Sequence, residues 1–326
     1  MTLILKQEEL KNCVSISVEG IKVIEDAFKN LSEGNAIMPP IMRLDIEENN
    51  GEVDVKTAYI KGLDSFAIKM SPGFFDNPKI GLPSTGGLMV LLSSKTGTLE
   101  AVLLDKGYLT DIRTALAGAI SVKYLAKKEI SSVGIIGAGA QAKLQLEALM
   151  LVRKPSELRI WSRDSNKTKN YITEVNKKFD IKILMTKNPQ EVTENSEVVI
   201  TTTPSTTPLI KSEWLHPGLH ITAMGSDAEH KNEIDPQIIK KADMYVCDSQ
   251  SQTAILGELN HAIKTGLIDK NVKFTEIGDI VSGSKKGRKN DQEITICDLT
   301  GTGIQDTAIA RLALKKAKNK NLGISI

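Results

Sequence analysis

Hydrophobic positions change their period along the chain, and each change predicts a different kind of element. Between residues 17 and 31, Val18, Ile21, Ile24, Phe28 and Leu31 recur at three- to four-residue spacing and stop short of Gly34. That pattern predicts an amphipathic helix ending on a glycine. From 53 to 104 it breaks into short β-like runs at 53–60, 65–70, 88–92 and 99–104, with turns such as Ser71-Pro-Gly73 and Asn77-Pro78 between them. A helix is expected to open at Thr110-Asp111, an N-cap and a first-turn acid, and to run to about 127; Ala115, Ala117, Gly118 and Ala119 leave room for close packing.

Beyond residue 130, strand and helix patterns alternate. Strands are expected at 132–136, 158–161, 181–185, 198–202, 220–224, 244–246 and 294–297, with helices at 142–152 and 233–241 and a last one from 305 to about 318. Several strands are continuous apolar runs, as parallel strands covered on both faces require. The last helix carries Asp306 in its first turn and lysines in its last, matching the helix dipole. The fold class is therefore α/β. A Rossmann-type doubly wound sheet spans 128–304, and an N-terminal α+β domain spans 1–127, with the C-terminal stretch 305–326 returning to complete it.

Composition narrows the function. A length of 326 residues agrees with two domains at roughly 150 residues each. With 40% hydrophobic and 25% charged residues the chain can bury a core, which excludes disorder. A net charge of +2 marks no nucleic-acid partner. No apolar run has the length to cross a bilayer, and Met1-Thr-Leu-Ile-Leu-Lys6 is too short for a signal peptide. Cys13, Cys247 and Cys297 are too scattered for a disulfide framework or a zinc site, and His216, His220, His230 and His261 lack metal-ligand spacing. A cytoplasmic protein without a metal is expected.

Candidate chemistry begins at Ser131-Ser-Val-Gly-Ile-Ile-Gly137-Ala-Gly139-Ala-Gln-Ala142, a strand followed by G-x-G-x-x-A and a helix. The first glycine makes the tight turn and the second admits a pyrophosphate. The small third residue lets helix and strand pack, and the helix N-terminus supplies the anion site. A purely structural glycine turn and an S-adenosylmethionine site are the rivals; the full strand–helix series that follows favours a dinucleotide. At the end of the second strand, Ile160-Trp-Ser-Arg-Asp164 puts Ser162 where an acid would hold the ribose hydroxyl and Arg163 beside it. A guanidinium there suits a 2′-phosphate, so NADP(H) is favoured over NAD(H). The other reading leaves Arg163 solvated and gives the ribose to Asp164. Thr202, in Thr201-Thr-Thr203-Pro204, either lines the cofactor or belongs to a simple turn.

The reacting end is less explicit. His220-Ile-Thr-Ala-Met-Gly-Ser-Asp227 carries Asp227 to the carboxyl edge of the sheet, for chemistry or to cap a following helix. Arg113, expected in a first helical turn where the dipole disfavours a cation, points to an anion at that terminus, a substrate carboxylate or a cofactor phosphate; an ordinary internal ion pair is the other reading. Lys69 ends the apolar run from Phe66 and is either buried with a partner or solvated at a sheet edge. Lys285-Lys-Gly-Arg-Lys289 reads as a solvated loop, with phosphate binding as the rival.

Taken in order, these stretches resemble the ornithine cyclodeaminase/μ-crystallin family across essentially the whole chain. They are Met38-Pro-Pro-Ile-Met-Arg43, the Lys69 segment, Leu109-Thr-Asp-Ile-Arg-Thr-Ala115, Gly134-Ile-Ile-Gly-Ala-Gly-Ala-Gln141, Gly225-Ser-Asp227, Gly257-Glu-Leu259, and Ile294-Thr-Ile-Cys-Asp298 with Gly301, Gly303 and Asp306. Residues 54–57 and 71–78 are most similar to the branch named for ectoine utilisation. The resemblance implies a clamp of Arg43, Lys69 and Arg113 on the substrate α-carboxylate. It also implies a catalytic carboxylate at Asp227 near the substrate nitrogen, with Lys69 the other candidate catalytic group. The cofactor loop would be Gly137, Gly139, Ala140 and Gln141, with Ser84 on the nicotinamide side and Ser226 beside the acid. A homodimer built through the N-terminal strands is implied too, as is hydride transfer between a nicotinamide and the α-carbon of a small amino or imino acid.

One departure bears on the substrate. Between Arg43 and Lys69, where cyclodeaminases carry an acid followed by apolar residues, this chain reads Asp54-Val55-Lys56. A lysine facing the pocket would repel the second ammonium of ornithine and suit a second carboxylate or a neutral ring. Reduction of a small imine or ketimine acid is therefore expected over ornithine cyclisation. A non-catalytic, μ-crystallin-like binding protein is the alternative of a different class.

Overall fold

The chain opens with strand β1 (Leu3–Lys6) and a short helix α1 (Gln7–Cys13), followed by the expected amphipathic helix, α2 (Val18–Ser32). The computed structural model describes residues 2–326. Ser17 caps α2, its hydroxyl accepting from the Gly20 N–H at 3.1 Å, and Ile21, Ile24, Ala27 and Phe28 form the buried face. Six strands follow: β2 (Ala36–Ile37), β3 (Met42–Ile46), β4 (Gly51–Ile60), β5 (Ser65–Phe74), β6 (Leu88–Ser93) and β7 (Leu99–Leu104). Strands β4 to β7 pair antiparallel in sequence order, β2 and β3 both pair with β4, and β1 joins β7 in parallel. In this register Arg43 faces Asp54, and Lys56 faces Lys69. Opposed residues and alternate residues share a face, so all four lie on one side of the sheet.

Helix α3 (Tyr108–Leu125) leads to an alternating series: β8 (Ser132–Ile136), α4 (Ala140–Leu149), β9 (Glu157–Trp161), α5 (Ser165–Asn176), β10 (Lys182–Met185), α6 (Pro189–Glu194), β11 (Val198–Thr201), β12 (His220–Ala223), α7 (Gln237–Lys241), β13 (Met244–Cys247), α8 (Gln250–Thr253), α9 (Glu258–Lys264), β14 (Thr275–Glu276), α10 (Ile277–Val281) and β15 (Thr295–Asp298). The strands form one parallel sheet in the order β10-β9-β8-β11-β12-β15-β13-β14. Its two faces carry separate cores, one around Ile135, Leu146 and Ile160, the other around Val199, Ile221 and Leu259. This is the doubly wound arrangement, and its strand order reverses between β8 and β11.

The chain ends with α11 (Gly303–Asn319) and β16 (Ile324–Ser325). Helix α11 packs on α2, β4 and β5, and β16 pairs with β1. Two units result, Met1–Arg113 with Thr302–Ile326, and Thr114–Gly301. The divisions fall at 113/114 and 301/302, earlier than the 127/128 and 304/305 expected from the sequence.

Three local expectations change. Helix α3 starts before Thr110, because the Asp105 carboxylate accepts from the Leu109 N–H at 2.8 Å. Arg113 consequently stands in the second turn, and the first-turn dipole argument lapses. The helix expected over 233–241 is confined to α7, because a residue before proline is biased away from the helical region and Ile234 forms a bridge to Ile210. The basic run 285–289 is not simply solvated. Arg288 donates to the carbonyls of Leu125 (2.6 Å), Leu219 (3.1 Å) and Glu293 (2.5 Å) and to the Thr295 hydroxyl (2.9 Å), which commits its guanidinium to the fold.

Candidate active site

Lys69 sits on β5, between β4 and β6, and is 2% exposed, so its sheet-edge reading is excluded. Its Nζ stands 3.0 Å from Oδ2 of Asp306, while Arg113 Nε donates to Oδ1 at 3.1 Å. Asp306 is fully buried in the first turn of α11, which Thr302 and Gln305 cap reciprocally. Lys56, opposite Lys69 in the register and 6% exposed, faces inward. Asp105 is also buried; its carboxylate caps α3.

Burial pulls Lys69 down to about 7, and the neighbouring charges of Arg113 and Lys56 act the same way against the attraction of Asp306. Burial would raise Asp306, but Lys69, Arg113 and Lys56 hold its carboxyl below the usual range. Burial raises Asp105 in spite of its backbone donors. Lys69 and Arg113 share the one carboxylate of Asp306, an arrangement that a further carboxylate would stabilise.

Arg43 does not join the pair formed by Lys69 and Arg113. On the β3–β4 ribbon its guanidinium pairs with Asp45 at 2.9 Å, with Glu52, and with Asp54 at 3.9 Å. The cation that neighbours Lys69 and Asp306 besides Arg113 is Lys56, not Arg43, while Asp54 faces Arg43. Ser84 lies outside this cluster, where its carbonyl accepts from the Phe74 N–H at 2.7 Å. The sequence reading missed the partner role of Asp306, because an acid in a first helical turn already has a local explanation.

The second unit carries the glycine turn expected to receive a nucleotide, at the strand-order reversal. Gly137 has φ +116°, and a Cβ there would stand 2.5 Å from Thr202 Oγ1. Thr202, just beyond β11, thus closes on the turn, and its N–H donates to the Ile136 carbonyl at 2.9 Å. A Cβ on Gly139 would meet nothing within 4 Å. No side chain among the described residues caps α4, Ala140 is exposed and Gln141 half-buried at its start, and Ala142 packs fully buried. An open approach onto uncapped helical N–H groups fits a dinucleotide pyrophosphate.

After β9, Ser162 donates to the Asp164 carbonyl at 2.8 Å and bonds the Thr168 hydroxyl at 2.7 Å. Asp164 caps α5, accepting from Asn166 and Lys167 at 2.9 and 3.2 Å, which commits its carboxylate to the helix; Arg163 is exposed. Beyond β12, Ser226 is buried and donates to the Lys231 carbonyl at 2.5 Å. Asp227 has a side chain 51% exposed, with Oδ1 2.5 Å from Lys231 Nζ. Its helix-capping alternative fails, because no helix begins within the next turn of chain. His220 is a core residue bonded to the Ser121, Thr222 and Thr295 hydroxyls, and burial pushes it down to about 3, which keeps it neutral.

Comparison with known proteins identifies the family. The model of the ornithine cyclodeaminase/mu-crystallin family matches residues 1–321. A Sinorhizobium fredii protein named as an uncharacterized cyclodeaminase is 53% identical over 98% of this chain and 97% of its own. An archaeal alanine dehydrogenase, solved as a dimer with bound NAD, has a TM-score of 0.92 at 37% identity, covering 100% of this chain and 98% of its own. The Δ1-pyrroline-2-carboxylate reductase of Thermococcus litoralis, solved with NADH and L-proline, has a TM-score of 0.94 at 31% identity over 100% of both chains. With a family match running almost from end to end, this chain belongs to the ornithine cyclodeaminase/mu-crystallin family.

Proposed function

We propose that this protein is an NAD(P)H-dependent reductase of small imino acids, acting at the carbon that bears both the carboxylate and the C=N bond. The observation that carries the reading is the buried pair Lys69 and Arg113 sharing the single carboxylate of Asp306, which suits an organic anion as a further partner. Lys69 and Arg113 hold the substrate carboxylate, Asp306 keeps their heads in place, and Arg43 orders the neighbouring ribbon. Gly137, Gly139, Ala140 and Gln141 receive the cofactor pyrophosphate, with Thr202 and Ser226 along the same carboxyl edge and Ser84 toward the nicotinamide. The bound dinucleotide supplies the hydride. Asp227 keeps the substrate nitrogen protonated, since an iminium accepts a hydride far more readily than a neutral imine.

The inward Lys56 favours an imine or ketimine acid over ornithine, whose second ammonium it would repel. The names of the similar proteins, a pyrroline-carboxylate reductase and an alanine dehydrogenase, support the same reaction class. NADP(H) is favoured over NAD(H) by Ser162 in place of an acid, by the exposed Arg163 and by the commitment of Asp164 to α5. The similarity of residues 54–57 and 71–78 to the ectoine-utilisation branch belongs to the same reading. The protein works as a homodimer in the cytoplasm, a compartment suited to its three buried free thiols. No helix among the described residues is long and apolar enough to cross a membrane.

The test is nucleotide consumption by the purified protein with NADPH or NADH and a panel of cyclic and open-chain imino acids, set beside NAD+ with ornithine. Oxidation of the reduced nucleotide is expected with the imino acids. Asp227→Asn should keep its nucleotide affinity and lose about 10²- to 10⁴-fold in turnover. Proline and ammonia forming from ornithine at a comparable rate would overturn the preference. Tight nucleotide binding with no substrate consumed would mark a binding protein.

A further inference from the structure

The Gly257-Glu258-Leu259 stretch and Asp298 take no part in the chemistry above, yet they begin a chain of buried carboxyl groups through the second unit. Asp298, at the end of β15, accepts from the Tyr245 hydroxyl at 2.7 Å and from the Leu259 N–H at 3.1 Å, so a strand supplies the cap of α9. From α9, Glu258 reaches the segment 232–234, accepting from the Glu233 N–H at 2.8 Å and from Asn232 Nδ2 at 2.6 Å. A stretch of chain that is neither helix nor strand is thereby held by a buried side chain.

Glu233 is the end of this chain and is itself fully buried. Its Oε1 accepts from the N–H and the hydroxyl of Thr203 at 2.6 and 2.7 Å. Its Oε2 accepts from the Thr201 hydroxyl at 2.6 Å and from the Gly225 N–H at 2.7 Å. One carboxylate thus joins the turn after β11, which closes on Gly137, to the loop after β12, which carries Ser226 and Asp227. Gly225 permits this approach, since a Cβ there would stand 2.1 Å from the Thr203 carbonyl and 2.6 Å from the Glu233 carboxyl carbon.

We propose that Glu233 is a positioning residue for hydride transfer: its two oxygens fix the Thr201–Thr203 turn and the Gly225–Asp227 loop as one piece. The inference rests on the reading of Asp227 given above. Both backbone N–H groups are fixed donors, one to each oxygen, and only an acceptor at both ends satisfies them. An amide presents a donor at one end and would turn it against Thr203 or Gly225, leaving a buried N–H unpaired. The Gly225–Asp227 loop would be displaced on the nicotinamide side, while Thr202, beside Gly137, keeps its own backbone bond to the Ile136 carbonyl and leaves the pyrophosphate turn in place.

Glu233→Gln, in the full-length enzyme, separates positioning from general structure. The readouts are the affinities for NADH and for ADP-ribose, which lacks the nicotinamide, and kcat with an imino acid that the parent reduces. Loss of about 100-fold in kcat is expected, with ADP-ribose affinity unchanged and NADH preference over ADP-ribose diminished. A kcat within about twofold of the parent would overturn the proposal, and so would an equal loss of ADP-ribose and NADH affinity. Should that variant not fold, Thr203→Val removes the hydroxyl that donates to Glu233 and accepts a long, 3.3 Å bond from the Ser205 N–H, and leaves the Thr203 backbone N–H in place. It is expected to lower kcat about 5- to 10-fold, the size of one hydrogen bond, with ADP-ribose affinity unaltered; an unaltered kcat or a loss shared with ADP-ribose overturns the proposal there. A parent protein that binds NADH but reduces no imino acid would refute the proposed function instead.

Discussion

Lys69 is where charge and burial meet and where the proposed function places the substrate carboxylate. Its ammonium is buried beside Arg113 and Lys56, with Asp306 as its partner, and its pKa falls to about 7. A substrate carboxylate pairs only with the protonated form, so binding raises that pKa again. Below about 7 the free lysine is already charged and binding takes up no proton. Above it each binding event must take one up, and KM for the imino acid should rise by up to about tenfold per pH unit. Lys69→Arg, charged throughout, should flatten the dependence. A KM that stays constant from about pH 6 to 9 in the parent would show that this charge is not used. The same residue shows the reach of sequence reading at this scale. An apolar run ending in lysine is compatible with a sheet edge or a buried pair, and only the strands on either side of β5 decide.

The unit of β8, the glycine turn and α4 was legible because its determinants are local: a turn needing positive φ, a close approach and a helix start lie within a dozen residues. The two glycines of the turn, Gly137 and Gly139, should respond differently to substitution. Gly137→Ala forces a side chain into φ +116° and against Thr202, and should cost about 1–3 kcal/mol of stability, lowering Tm. Gly139→Ala meets no protein atom, so Tm should hold while NADH affinity falls about tenfold, because its methyl occupies the space a pyrophosphate needs. Thermal melts and NADH titrations of both variants check this; a Gly139→Ala protein binding NADH as tightly as the parent would refute the assignment. Where determinants are not local, element boundaries were misread. Helix α3 takes its cap from Asp105, upstream of the Thr110-Asp111 pair that looked like one, and the stretch before α7 is held by a glutamate on α9.

At the scale of the molecule, the sheet of the first unit leaves an apolar edge in solvent. Met42 and Leu44 alternate along β3 on the face away from Arg43 and are 62% and 58% exposed, with Ile37 on the neighbouring β2 also exposed. Such a surface is costly for a monomer. Light scattering should return twice the 35.5 kDa chain mass, and Leu44→Glu should shift the protein toward the monomer; a monomeric parent would refute the homodimer. What the sequence determined by itself follows from periodicity and short motifs: alternating buried strands and helices dictate a doubly wound sheet, and the glycine motif the tight positive-φ turn between β8 and α4. What only the tertiary structure decided is which charges share a buried environment. Lys56, Lys69, Arg113 and Asp306 come from two strands and two helices far apart in the chain, and Arg43, alike in type, is drawn instead to Asp45 and Glu52. The energy of a buried charge depends on its neighbours in space, and those are set by strand register and by the return of α11, not by spacing along the chain.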